Sequence, residues 1–283
     1  MIKFADFFKQ SLSEAKFRPV SIDVEEIAKK CVDLYFEKYH NKTEKQLKNI
    51  TVPTTPGWRR YFRGQKIKRL SVPEILQVTD LETNKAKPIK FIVAFGEHEG
   101  AIGFYDQTKE TIVLIDQEAK DLTKRSLLST FVHELTHSIQ QYKKQSEEYS
   151  REVEKMFRGE DYDPHVYFLE PLELDAHLTA LAFDIKKEFS KRLEDISKSR
   201  EMFTRRMMIK RLEKFLLELK VFITSGSETY FDYEELPIPE FIAKHQEFVE
   251  TLKEHPKEWR KFKQRLDDLY IELDKEQKKL LAS

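Results

Sequence analysis

Cysteine is all but missing from this chain, Cys31 being the only one in 283 residues. A lone thiol forms no internal disulfide and builds no cysteine-based zinc site, which excludes a disulfide scaffold and a zinc-finger module. Glycine and proline are scarce as well, at 7 and 10 residues, too few breakers for the many tight turns of an all-β fold. Net charge is absent too, because 50 Lys and Arg balance 50 Asp and Glu. A surface built throughout for nucleic acid or for an anionic membrane is therefore excluded. No apolar run is long enough to cross a bilayer. The opening MIKFADFFKQSLSEAK lacks the apolar core and small-residue cleavage site of a signal peptide, and reads as an amphipathic helix. The expectation is a cytoplasmic protein in reducing surroundings, with no membrane partner.

What is present is charge and helical periodicity. Charged residues make up 35% of the chain and favour long solvated helices. Ser21 reads as an N-cap, with Asp23, Glu25 and Glu26 in the first turn and Ile27, Cys31, Leu34 and Tyr35 following at helical spacing. A helix over 22–48 follows. Prolines 53, 56 and 73 with Gly57 and Gly64 mark 50–73 as irregular structure or a linker. Short Ile/Val/Phe-rich runs at 90–97 and 110–116, with GAIGFYDQTK between them as a third strand, predict a small antiparallel sheet over 90–117. Helical patterns then occupy 122–145, 171–199, 201–224 and 238–280, joined by loops at 150–170 and 225–237. Helix, small sheet, many helices: the fold class is α+β.

Residues 133–137 read His-Glu-Leu-Thr-His. On a helix the two histidines lie one turn apart on one face, so both imidazoles can reach one ion. Zinc takes imidazole nitrogen at about 2.0–2.1 Å and tolerates an open fourth position. Glu134, beside the first ligand, is placed to accept a proton from a water that the ion acidifies. Leu128, Val132, Leu135, Ile139 and Tyr142 define the apolar stripe of this helix, while Thr130, His133, His137 and Gln141 fall on a separate polar face. Downstream, Glu170, Glu173, Asp175 and His177 offer a third ligand, and Pro171 suits the first turn of their helix.

HELTH on one helix, followed by a Glu-x-x-Ala segment on a second, resembles the gluzincin branch of zinc metallopeptidases. The strand-turn-strand GFYDQTKETIVLID ahead of it resembles the sheet edge of such proteins. The resemblance covers roughly residues 90–190. It implies a zincin-like fold, His133 and His137 as zinc ligands, Glu134 as general base and Glu173 as third ligand. Ala176 would be the small residue that lets the two helices approach. The next position in such segments is usually Asp or Asn, orienting a ligand histidine; here it is His177, so Asp175 or Asp184 takes that role or His177 binds metal itself. His177, Asp175, Tyr167 and His165, with Tyr162, are the candidates for supporting the ligands or stabilising an oxyanion. The strand at 100–106 would pair with an extended peptide, making a protein or peptide the substrate.

These readings divide the chain into an amino-terminal helical segment and basic loop (1–75), a zincin-like catalytic core (76–200) and a carboxy-terminal helical region (201–283). Residues 58–69, WRRYFRGQKIKR, mix aromatics with basic residues; with zero net charge they read as a solvated basic loop, not as a nucleic-acid site. The start, MIKFADFFKQSLSEA, resembles the openings of accessory proteins of tailed phages, which implies host cytoplasm or a virion as the setting. A second class stays open: a structural or partner-binding helical protein with an incidental HExxH.

Overall fold

The computed structural model describes residues 22–62, 66–80, 85–97, 102–106, 108–139, 147–157, 160–199, 201–224 and 242–282. The expected amino-terminal helix and Ser21 cap lie outside them, as does all of 225–237. Contacts divide the chain after Ala180 into a unit reaching back to Arg18 and a unit built on Leu181–Ser283.

In the first unit, the helix expected over 22–48 is two: α1 (Ile22–Lys38) and α2 (Glu44–Ile50). Asn41 breaks it with a left-handed φ of 57°, a conformation Asn tolerates better than most residues. Thr43 then restarts it through a capping box, its amide donating to Gln46 Oε1 at 2.9 Å.

The stretch 50–73 is not a linker. It holds β1 (Thr51–Pro53), α3 (Pro56–Tyr61) and β2 (Lys66–Ser71). Each proline sits where its missing N–H costs nothing: Pro53 ends β1, Pro56 opens α3, and Pro73 falls in the break before β3 (Glu74–Asp80). Within 58–69, Trp58 and Phe62 are the aromatic anchors, and the described end of the segment belongs to β2, with Lys66 and Lys68 exposed. Trp58 and Phe62 stack at 5.8 Å and Lys109 lies 3.9 Å over the Trp58 ring. Arg69 donates through Nε and Nη2 to the Thr51 side chain and carbonyl, each at 2.6 Å.

The sheet continues through β4 (Lys85–Glu97), β5 (Gly103–Asp106) and β6 (Thr111–Ile115). Its order is β1-β2-β4-β6-β5, with β3 also paired to β4. It is mixed, not antiparallel as expected from the chain order: β5 forms its hairpin on the far side of β6, which leaves β4 and β6 as parallel neighbours. At Gly96 (φ 148°) a Cβ would stand 2.2 Å from the Lys66 carbonyl oxygen, so only glycine lets β2 and β4 close there. On one face Ile92, Ala94, Val113, Ile115 and Phe104 pack with Phe62 and Trp58. On the other, Phe91 meets Phe131 edge to face at 5.4 Å.

Phe131 belongs to α5 (Lys124–Ile139), which follows the short α4 (Asp116–Ala119) and packs against α1, β3 and β5. Helix α5 is largely buried: His133, Glu134 and Thr136 are enclosed along with Leu128, Val132 and Leu135, while Thr130 and His137 of the polar face are half-buried. The stretch 150–170 is likewise not plain loop but carries α6 (Glu147–Phe157) and α7 (Pro164–Phe168). Glu152 holds their junction, accepting from the Asp163 amide at 2.6 Å. Asp163 in turn caps α7 by accepting from the His165 amide at 2.9 Å. The helix α8 (Pro171–Lys198) follows.

The second unit takes α8 from Leu181 onward, then α9 (Met202–Thr224), a 3₁₀ turn at Ala243–His245, α10 (Gln246–Lys253) and α11 (Pro256–Ala282). Pro256 opens α11 and so divides the single helix expected over 238–280. Among the described residues no helix is long and apolar enough to cross a membrane.

Candidate metal centre

Helix α5 brings His133 and His137 to one face, and the first turn of α8 brings Glu173 against them. His133 Nε2 lies 3.1 Å from His137 Nε2. Glu173 Oε2 is 3.3 Å from the first nitrogen and 3.4 Å from the second. Both imidazoles are only 11% exposed and the carboxylate 6%. A shared proton and a shared metal impose different spacings on such a cluster.

Charge-assisted N–H···O bonds close to about 2.7–2.9 Å, and the two Glu173 contacts are well beyond that. Ligands at about 2.0–2.1 Å from a tetrahedral ion stand about 3.3–3.4 Å from one another, which is the size of this triangle. Two imidazoles and a carboxylate are also a donor set that zinc accepts with an open position left over. The residues fit a metal.

His177, one turn after Glu173, is the next donor out. Its Nε2 is 3.9 Å from Glu173 Oε2, and with His133 and Glu173 it forms a second group whose ligand atoms lie within 4.8 Å of one another. The two groups share His133 and Glu173. The triplet with His137 matches tetrahedral edges more closely, so it is the better ligand set.

Glu134 is buried beside this triplet, with the Tyr105 backbone N–H donating to its carboxylate. The strand parity explains that donor. Ile115 donates to the Ile102 carbonyl at 2.8 Å, so in the β5–β6 register Phe104 and Asp106 also face β6, whereas Gly103 and Tyr105 turn their amide groups to the open edge. The two carboxylates are driven apart. Burial raises the pKa of Glu134, and the neighbouring Glu173 charge adds to that against the pull of His133, His137 and the Tyr105 N–H. Burial would raise Glu173 too, but the charges and N–H groups of His137 and His133 overcome it and hold Glu173 well below the usual range. One carboxylate is kept as an anion and the other is made a better proton acceptor, the pattern that separates ligand from base.

The remaining candidates sit at different distances. Tyr167 is buried, its ring centroid 6.1 Å from that of His177. Tyr162 lies one ring further, 5.6 Å from Tyr167. His165 is in the first turn of α7, where its amide serves the Asp163 cap. Asp175, two residues beyond Glu173, falls about 200° round the helix from it. Asp184 meets His245 at 3.0 Å within the second unit. The Tyr105 amide was the contributor that residue types could not reveal, because a backbone donor leaves no signature in side-chain chemistry. Compared with protein-family models, curated proteins and solved structures, the chain matches none.

Proposed function

We propose that this protein is a zinc-dependent metallopeptidase of the gluzincin type, with His133, His137 and Glu173 as ligands and Glu134 as general base. The observation that carries the reading is the 3.1, 3.3 and 3.4 Å triangle, which gathers two imidazole nitrogens and a carboxylate oxygen at the spacing of three ligands of one ion. Bound zinc supplies Lewis acidity, lowering the pKa of a water and polarising a substrate carbonyl. Glu134 accepts the water's proton on a carboxylate oxygen as the water's oxygen bonds to the carbonyl carbon. It then delivers that proton to the amine nitrogen as the C–N bond breaks. Burial, which raises its proton affinity, suits it to both halves of this task.

The edge strand β5 supports a peptide as substrate. Gly103 and Tyr105 turn their backbone carbonyls to the open side of the sheet, where an extended chain can add as a further strand. The test is hydrolysis of a denatured protein or a mixed peptide library by the zinc-loaded chain. Cleavage that stops on chelation, returns with zinc and is missing in Glu134→Gln supports the reading. A zinc-loaded wild type that cleaves no peptide bond contradicts the peptidase assignment and favours a structural role for the centre.

A further inference from the structure

Helix α8 repeats the spacing of α5. Glu173 and His177 stand four residues apart, as His133 and His137 do, so each helix offers an i, i+4 pair of donors. Three of those four form the tight triangle. The fourth, His177, directs a buried Nε2 to within 3.9 Å of Glu173 Oε2, although a fifth of its side chain is exposed. Its ring is tilted against that of His133 at 4.3 Å and meets Phe168 edge to face at 4.9 Å. Packing accounts for the ring carbons. It does not account for a third imidazole nitrogen aimed at a carboxylate oxygen that two others already approach. The 3.9 Å separation from Glu173 exceeds a tetrahedral edge by about 0.5 Å, and the ligand atoms of His177 and His133 lie within 4.8 Å of one another.

We propose that His177 is a fourth protein ligand. The ion in the substrate-free protein is then held by three imidazoles and one carboxylate, and His177 is the ligand that yields when substrate arrives. This rests on the metal reading above and deepens it. Three protein donors leave a zinc site open, whereas four close it, and zinc can pass through five-coordination between the two. His177 therefore keeps the site shut at rest, and exchange of a single side chain opens it. A borderline set of three nitrogens and one oxygen suits zinc and its spectroscopic substitutes.

The test counts imidazoles bonded to the metal. Full-length protein labelled with ¹⁵N-histidine is loaded with ¹¹³Cd, and each bonded ring nitrogen is recognised by its one-bond coupling to the metal. The expected result is three coupled imidazoles in the wild type and two in His177→Phe, a substitution that keeps the ring contact with Phe168. His177→Gln, expected to show two as well, serves if the phenylalanine variant does not fold. Two coupled imidazoles in the wild type, unchanged in either variant, would overturn the role of His177 and leave the His133–His137–Glu173 reading standing. A wild type that binds neither cadmium nor zinc stoichiometrically overturns both.

Discussion

In the second unit, His245 meets Asp184 at 3.0 Å, one imidazole against one carboxylate, both almost fully buried. In the first, three imidazoles surround a single carboxylate oxygen of Glu173 at 3.3, 3.4 and 3.9 Å. Both contacts pair histidine with an acid away from water, yet they answer different needs. One N–H···O bond of ordinary length joins His245 to Asp184. The contacts of the Glu173 cluster are longer. Its nitrogens and oxygen stand apart at the spacing of ligands round an ion, and a buried carboxylate is close at hand to serve as base. Burial of histidine with an acid is thus no sign of a metal by itself; the number of donors and their spacing is.

Breaking each contact in turn separates the two kinds. The largest effect belongs to Glu173→Ala, which removes the oxygen all three imidazoles approach: stoichiometric zinc and all hydrolysis are expected to be lost, as read by equilibrium dialysis and peptide cleavage. Glu134→Gln comes next, lowering kcat by about 10²–10⁴-fold while zinc content stays at the wild-type level. Zinc lost together with activity in that variant would contradict a base that holds no metal. Asp184→Ala cuts the other contact. It is expected to cost stability on the order of 3 kcal/mol in chemical denaturation, because it leaves His245 buried without its carboxylate, and to leave zinc content untouched. Smallest is Thr43→Ala, at about 1 kcal/mol for the loss of a helix cap remote from both histidine clusters. An effect of that variant on zinc or turnover would mean that stability and site are not separable.

The histidine pair of α5 was legible because helical spacing is local: His133 and His137 at i and i+4 need no knowledge of the rest of the chain to share a face. That His133 on this face is buried, and Thr130 and His137 half-buried, was not legible, since polar residues on one side of a helix ordinarily face water. The amino-terminal part of the sheet was hidden by its prolines. Pro53, Pro56 and Pro73 read as breakers, and each does break the chain, but at the ends of β1 and β2 and the start of α3. The parallel pairing of β4 with β6 follows from where β5 is inserted, a choice made by long-range contacts. Among the candidate site residues, spacing along α8 placed Glu173 and His177 on one face. The pairing of Asp184 with His245, 61 residues away in sequence, is one that no local pattern announces.

Metal content tests the central claim most directly. Purified protein is stripped of metal, exposed to excess zinc, desalted and analysed by mass spectrometry for zinc per chain, wild type beside His137→Ala and Asp184→Ala. The account predicts one zinc per chain in the wild type and in Asp184→Ala, and none in His137→Ala. A wild type without stoichiometric zinc, or a His137→Ala variant that keeps it, would contradict the account.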